Sequence, residues 1–224
     1  MKKILLTSFC VAFLSATAGA QLLSFNTTGN LGTETTEPSV FNNASVLASS
    51  LTLGSGITPA ANVNRFGGSN FFDAGDTNPT TLAESIAGND FFQFIVTPAA
   101  AATFTATSFV FSFDHSASGP NSFTLRSSVD NFASDLGSVT GLAANLTTNN
   151  TIALTTFNDV ASAVTFRLYG YGATSSAGTG GFDTTTNALS PNVVLVPEPS
   201  TKVMIIGALG LAALVYRRKA GVRL

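Results

Sequence analysis

Apolar residues recur at every second position through much of the chain. In "TFTATSFVFSFD" Phe109, Phe111 and Phe113 fall on one face of an extended strand, with Thr105 and Thr107 continuing that face toward the strand's start. "NSFTLRSS" directs Phe123 and Leu125 inward and Thr124 and Arg126 outward. "AVTFRLYGYG" does the same with Val164, Phe166 and Leu168 inward, and Thr165, Arg167 and Tyr169 outward. "DFFQFIVTP" carries apolar side chains at both parities: Phe92, Phe94 and Val96, but also Phe91 and Ile95. That pattern predicts a strand buried on both faces. "VLASSLTL" and "TIALTTF" are weaker strands, and "GPNS", "SAGTGG" and "TNNT" read as turns. The single helical stretch is "TLAESIAG", and it is short.

Many short strands punctuated by turns, with no clean repeat, predict an all-β domain: one β-sandwich, jelly-roll-like, over residues 21–196. A domain of that length can bury a sizeable core. It has to, because Cys10 is the only cysteine and lies in the N-terminal segment, so no disulfide staples the body.

The ends differ from the body. "MKKILLTSFCVAFLSATAGAQ" opens with Lys2 and Lys3, continues through an apolar run over 4–14 and closes on small residues. This is the pattern of a secretory signal peptide over residues 1–20, with Ala18, Ala20 and Gln21 at the cleavage site. At the other end, residues 203–216 are 14 uncharged residues, about 21 Å as a helix. That is short for a hydrocarbon core of about 30 Å. Lys202 on one side and Arg217, Arg218 and Lys219 on the other can reach the headgroups and let a transmembrane helix span. The basic cluster belongs in the cytoplasm, and the body therefore outside. Pro197 and Pro199 keep the approach to this helix extended.

The order Pro197-Glu198-Pro199, apolar helix, Arg217-Arg218-Lys219 resembles the PEP-CTERM sorting signal. The resemblance covers about residues 196–224 and implies handling by an exosortase, a membrane-embedded, transpeptidase-like protease of Gram-negative bacteria that make exopolysaccharide. It implies a membrane-anchored precursor exported through the inner membrane, then a place at the cell surface or outside it. "NRFGGSNFF", "GPNSFTLRSSVDNF" and "FRLYGYGATSSAGTGGFD" are similar to β-sandwich ectodomains that recur among such proteins, mostly of unestablished function. The sequence after Asp183 departs from theirs, so no metal role is carried over to that residue.

Charge narrows the partners. Residues 21–196 hold three cations, Arg65, Arg126 and Arg167, against eleven anions, a net −8. Such a body repels phosphate backbones, and no nucleic-acid partner is expected. Catalytic ingredients are sparse. His115 is the only histidine; in "FDHSASGP" it reads as a solvated turn residue, and neighbours on a strand end face opposite ways, so Asp114-His115-Ser116 cannot form a relay. No enzyme activity and no obligatory cofactor are expected. Asp73 and Asp76 are candidate calcium ligands in a turn. Arg167, Tyr169 and Tyr171 are a candidate ligand patch. The functional expectation is a non-catalytic surface or matrix protein associated with exopolysaccharide or biofilm. A calcium-assisted carbohydrate-binding module is the alternative, and a secreted hydrolase a minor one.

Overall fold

A computed structural model describes residues 20–183 and 192–195. The expected signal segment, the sorting motif, the helix over 203–216 and the basic cluster lie outside the described residues. In chain order the described strands are β1 (Ala20–Phe25), β2 (Thr36–Asn42), β3 (Ser50–Leu53), β4 (Thr58–Pro59), β5 (Arg65–Ser69), β6 (Phe91–Val96) and β7 (Phe104–His115). There follow β8 (Ser122–Ser127), β9 (Gly137–Val139), β10 (Thr148–Val160), β11 (Val164–Tyr171), β12 (Gly180–Asp183) and β13 (Asn192–Leu195). One α-helix, α1 (Leu82–Gly88), precedes β6, and a 3-10 turn (Ser128–Asp130) follows β8. Among the described residues no helix is long and apolar enough to cross a membrane.

The strand pairings are antiparallel and form two curled sheets. The first runs β4-β5-β12-β7, continues from β7 through β13 and β1 to β2, and carries β10 along the other side of β7. The second runs β2-β3-β6-β11-β8-β9. Strand β2 belongs to both: its Thr36–Pro38 half pairs with β3 and its Ser39–Asn42 half with β1. The result is mostly β and consistent with a β-sandwich, as the alternating pattern predicts.

Phenylalanine holds the sheets face to face. The largest fully buried side chains among the described residues are all Phe, twelve of them, and they come from both sheets. Phe94 of β6 stacks on Phe109 of β7 with ring centroids 5.2 Å apart, Phe92 meets Phe182 of β12 edge-on at 4.7 Å, and Phe123 of β8 lies 4.3 Å from Phe113. Each such side chain removed from water contributes about 1.5–3 kcal/mol, and each ring pair adds about 0.5–1.5.

Where β5 meets β12, Gly67 and Gly68 pair with Gly181 and Gly180. A Cβ on Gly67 would collide with the backbone of Gly180 and Gly181. The two "GG" steps therefore let these strands approach without side chains between them.

Four local expectations are corrected. The buried face of β7 begins with Phe104 and Ala106, not Thr105 and Thr107, then changes parity before Phe109. The slip coincides with a register irregularity against β10 between Ala153 and Phe157, a bulge that no alternation pattern announces. Thr148-Asn149-Asn150-Thr151 is the start of β10, not a turn. β6 is buried on both faces only toward Phe91; Ile95 at its far end is 40% exposed. Thr124 points outward as predicted yet is buried, because Ser138 of the edge strand β9 hydrogen-bonds it at 2.8 Å.

Candidate functional site

The helix sets up the most unusual charge in the domain. Thr81 caps α1: its hydroxyl accepts the Glu84 N–H, and the Glu84 carboxylate accepts the Thr81 N–H, a capping box. The Glu84 carboxylate also takes the Thr77 N–H at 2.8 Å, and these backbone donors push its pKa down to about 2. The helix ends on Asn89 in the left-handed region (φ 65°), which turns the chain sharply inward. Asp90 follows. Its backbone is fixed by bonds to Ser85 and Gly170, and its side chain is buried, 1% exposed. One carboxyl oxygen, Oδ1, has no hydrogen-bond partner. Burial, and then the negative charges of Asp73 and Asp76, push its pKa up to about 7.

Asp73 and Asp76, the acids predicted as calcium candidates, sit in the loop facing this point. Both are half-buried. The Asp76 carboxylate accepts the Asp73 N–H at 2.7 Å, and Asn70 donates to Asp73 Oδ1 at 3.4 Å and to the Gly56 carbonyl at 3.0 Å. Asp90, the innermost member of the group, carries no mark in a reading by residue pattern. The available signal was the "GND" step that closes a capped helix.

A second feature lies on the outer face of the β2-β3-β6-β11-β8 sheet. Gln93, Arg167 and Arg126 stand in cross-strand register. The Arg167 guanidinium is clamped between the rings of Phe91 and Phe132, 4.3 and 4.1 Å from their centroids, and its Nε donates to Gln93 Oε1 at 2.8 Å. Phe132 reaches this position from a left-handed backbone (φ 60°), preceded by Asn131 in the same region. Of the other predicted patch members, Tyr169, read as facing outward, is buried at 2% exposure against Phe91. Tyr171 is half-buried, its hydroxyl 3.5 Å from that of Thr124. On the same sheet a groove of about 450 Å³ is lined by Ser39, Ser49, Ser50, Thr52, Gln93 and Ile95, among others.

His115 is not the solvated residue expected. It is buried at 3% exposure, with Nδ1 2.8 Å from the Ser116 carbonyl and Nε2 3.1 Å from that of Leu142. Asp114 turns to Arg65, and the Ser116 hydroxyl engages Thr179. The three consecutive residues point to three different partners, and neither imidazole nitrogen faces a nucleophile.

Of the expected signal-peptidase residues, Ala20 and Gln21 open β1, and Ala18 lies outside the described residues. An acidic β-rich body followed by an apolar, basic-ended tail defines a class: an exported protein with a C-terminal sorting signal. The family model of the PEP-CTERM protein-sorting motif matches residues 195–219, and the chain carries that motif. The match takes in Pro197, Glu198 and Pro199 and the cluster Arg217, Arg218 and Lys219. The motif indicates export, implies processing by an exosortase and is consistent with a membrane-anchored precursor. No curated protein matches the chain.

Proposed function

We propose that this is a non-catalytic protein of the cell surface or extracellular matrix, delivered by its C-terminal motif and associated with exopolysaccharide. The match over residues 195–219 carries the reading. In it, residues 1–20 are a removed signal peptide, 21–196 a jelly-roll-like ectodomain, and 197–224 the sorting and anchoring segment. The burial of His115, with both ring nitrogens set against backbone carbonyls and away from any hydroxyl nucleophile, supports a non-catalytic role. Replacing Pro197 and Pro199 together by alanine should abolish or strongly slow C-terminal processing in the native host. The readout is the ratio of precursor to mature band, and an unchanged ratio would sink the sorting role.

The groove beside Arg167 favours a second reading, a glycan-binding module. Hydroxyl and amide groups line it, and the clamped guanidinium stands next to it through Gln93. Such a mixture of few polar groups around a concave surface suits a sugar. Arg167→Ala and Gln93→Ala should each reduce retention on immobilised host exopolysaccharide by about tenfold or more, the loss of one charge-assisted contact. Equal retention of wild type and both variants argues against this role for the groove.

A further inference from the structure

The acidic group at the end of α1 has no positive partner among the described residues. Asp90 is buried, its Oδ1 is unpaired, and the charges that bear on it, Asp73 and Asp76, are both negative. The domain's three arginines are engaged elsewhere: Arg65 with Asp114, Arg126 with Asp135, and Arg167 between two rings. An ionised carboxylate buried without a partner costs several kcal/mol, so such groups are found neutralised, paired or on a metal.

Two glycines let the carboxylate oxygens come close to the backbone. A Cβ on Gly88 would lie 2.9 Å from Asp90 Oδ2 and 3.0 Å from Asp73 Oδ2, so the two carboxylates face the same small space beside that glycine. A Cβ on Gly56 would strike both Asp90 Oδ1 and the Gly88 carbonyl oxygen, which places that carbonyl next to the unpaired oxygen. Oxygen atoms from Asp73, Asp90 and Gly88 thus line one cleft, held by the Asn70 bridge between Gly56 and Asp73.

We propose that this cleft binds a calcium-class divalent cation, with Asp90 and Asp73 as its charged ligands and the Gly88 carbonyl and water completing the shell. Among the described residues no three acidic, histidine or cysteine side chains form a metal cage, so the remaining ligands must be carbonyl and water oxygens. Calcium accepts six to eight such oxygens in irregular geometry, whereas zinc favours a tetrahedron of nitrogen and sulfur. The bound ion anchors the loop through Asp73 to the α1–β6 junction at Asp90. This role rests on the fold alone and stands or falls independently of sorting and of the groove.

The test is thermal unfolding of the full-length chain in detergent, followed by circular dichroism in calcium chloride, in magnesium chloride and in EDTA. Calcium at about a hundredfold over its Kd should raise the melting temperature by roughly 5–10 °C over EDTA, with a smaller rise in magnesium. Asp90→Asn and Asp73→Asn should each lose that rise, while Asp130→Asn, at a distant turn, should keep it. Asp73 is half-buried, so its variant remains informative if Asp90→Asn does not fold. Equal melting in calcium and EDTA overturns the proposal, as does a full calcium shift in Asp73→Asn. If Asp90 is neutralised by a proton instead, calcium gives no shift and Asp90→Asn melts at or above the wild type.

Discussion

Phe92→Ala is expected to lower the unfolding free energy by about 3–5 kcal/mol, the usual cost of emptying a buried aromatic site. Phe92 has no exposed surface and touches four rings: Phe66 and Phe71 at 6.5 and 6.2 Å, Phe113 at 5.7 Å and Phe182 at 4.7 Å. Three of them, Phe66, Phe113 and Phe182, belong to the opposite sheet, so truncation opens a cavity where the two sheets meet. Large rigid rings do not re-pack readily into the space of a lost neighbour, which puts the expectation at the upper part of that range. Urea unfolding of the full-length chain measures it as a lower midpoint at unchanged slope. A loss below about 1 kcal/mol would mean the inter-sheet core is far looser than the ring geometry states.

The second large effect concerns Arg65. It is buried at 4% exposure at the start of β5, and it is there because Gly181 across the strand pair has no side chain: a Cβ would come within 2.7 Å of Arg65 Nε. Burial pushes the guanidinium below its ordinary pKa, and Asp114 and Asp183 pull it back. Nη2 donates to the Asp114 carbonyl, and Nη1 lies 3.8 Å from the Asp114 carboxylate. Nε has no partner. Asp114→Asn keeps the shape and removes the nearer counter-charge. Breaking a buried pair from one side costs about 3–5 kcal/mol. The long contact and the remaining charge of Asp183 place this variant at or below the low end of that range. Arg65→Met removes the buried charge itself and leaves a partly solvated Asp114, so it should cost less than Asp114→Asn. The ordering of the two denaturation midpoints is the observation that decides. A more stable Asp114→Asn would show that Asp183 alone neutralises the guanidinium.

The inward faces of β8, β11 and the Phe109–Phe113 part of β7 were legible because phenylalanine, leucine and valine alternate with polar residues along most of them, and period-two patterning reports which face is buried. The capped helix was legible as a short polar-apolar stretch. Other features had no local signal. The parity change in β7 comes from a bulge against β10, some fifty residues away in sequence. His115 and Tyr169 are buried by segments that arrive from elsewhere, the Leu142 carbonyl for the first and the Phe91 ring for the second. Asp90 belongs with this group: its isolation follows from a helix end, two glycines and a distant loop coming together. The sorting motif is the opposite case, contiguous and ordered along the chain, and was readable without a fold.

Strand β13 pairs with β1 on one side and with β7 on the other. It is the last described strand, and the matched motif begins on its final residue, Leu195. During synthesis and passage through a membrane, β1 emerges early and must wait for almost the whole domain before its partner exists. Until then β1 and the middle of β7 present open edges, the surfaces most prone to recruit a second chain. The order of emergence thus leaves those edges uncovered until residues 192–195 close the sheet.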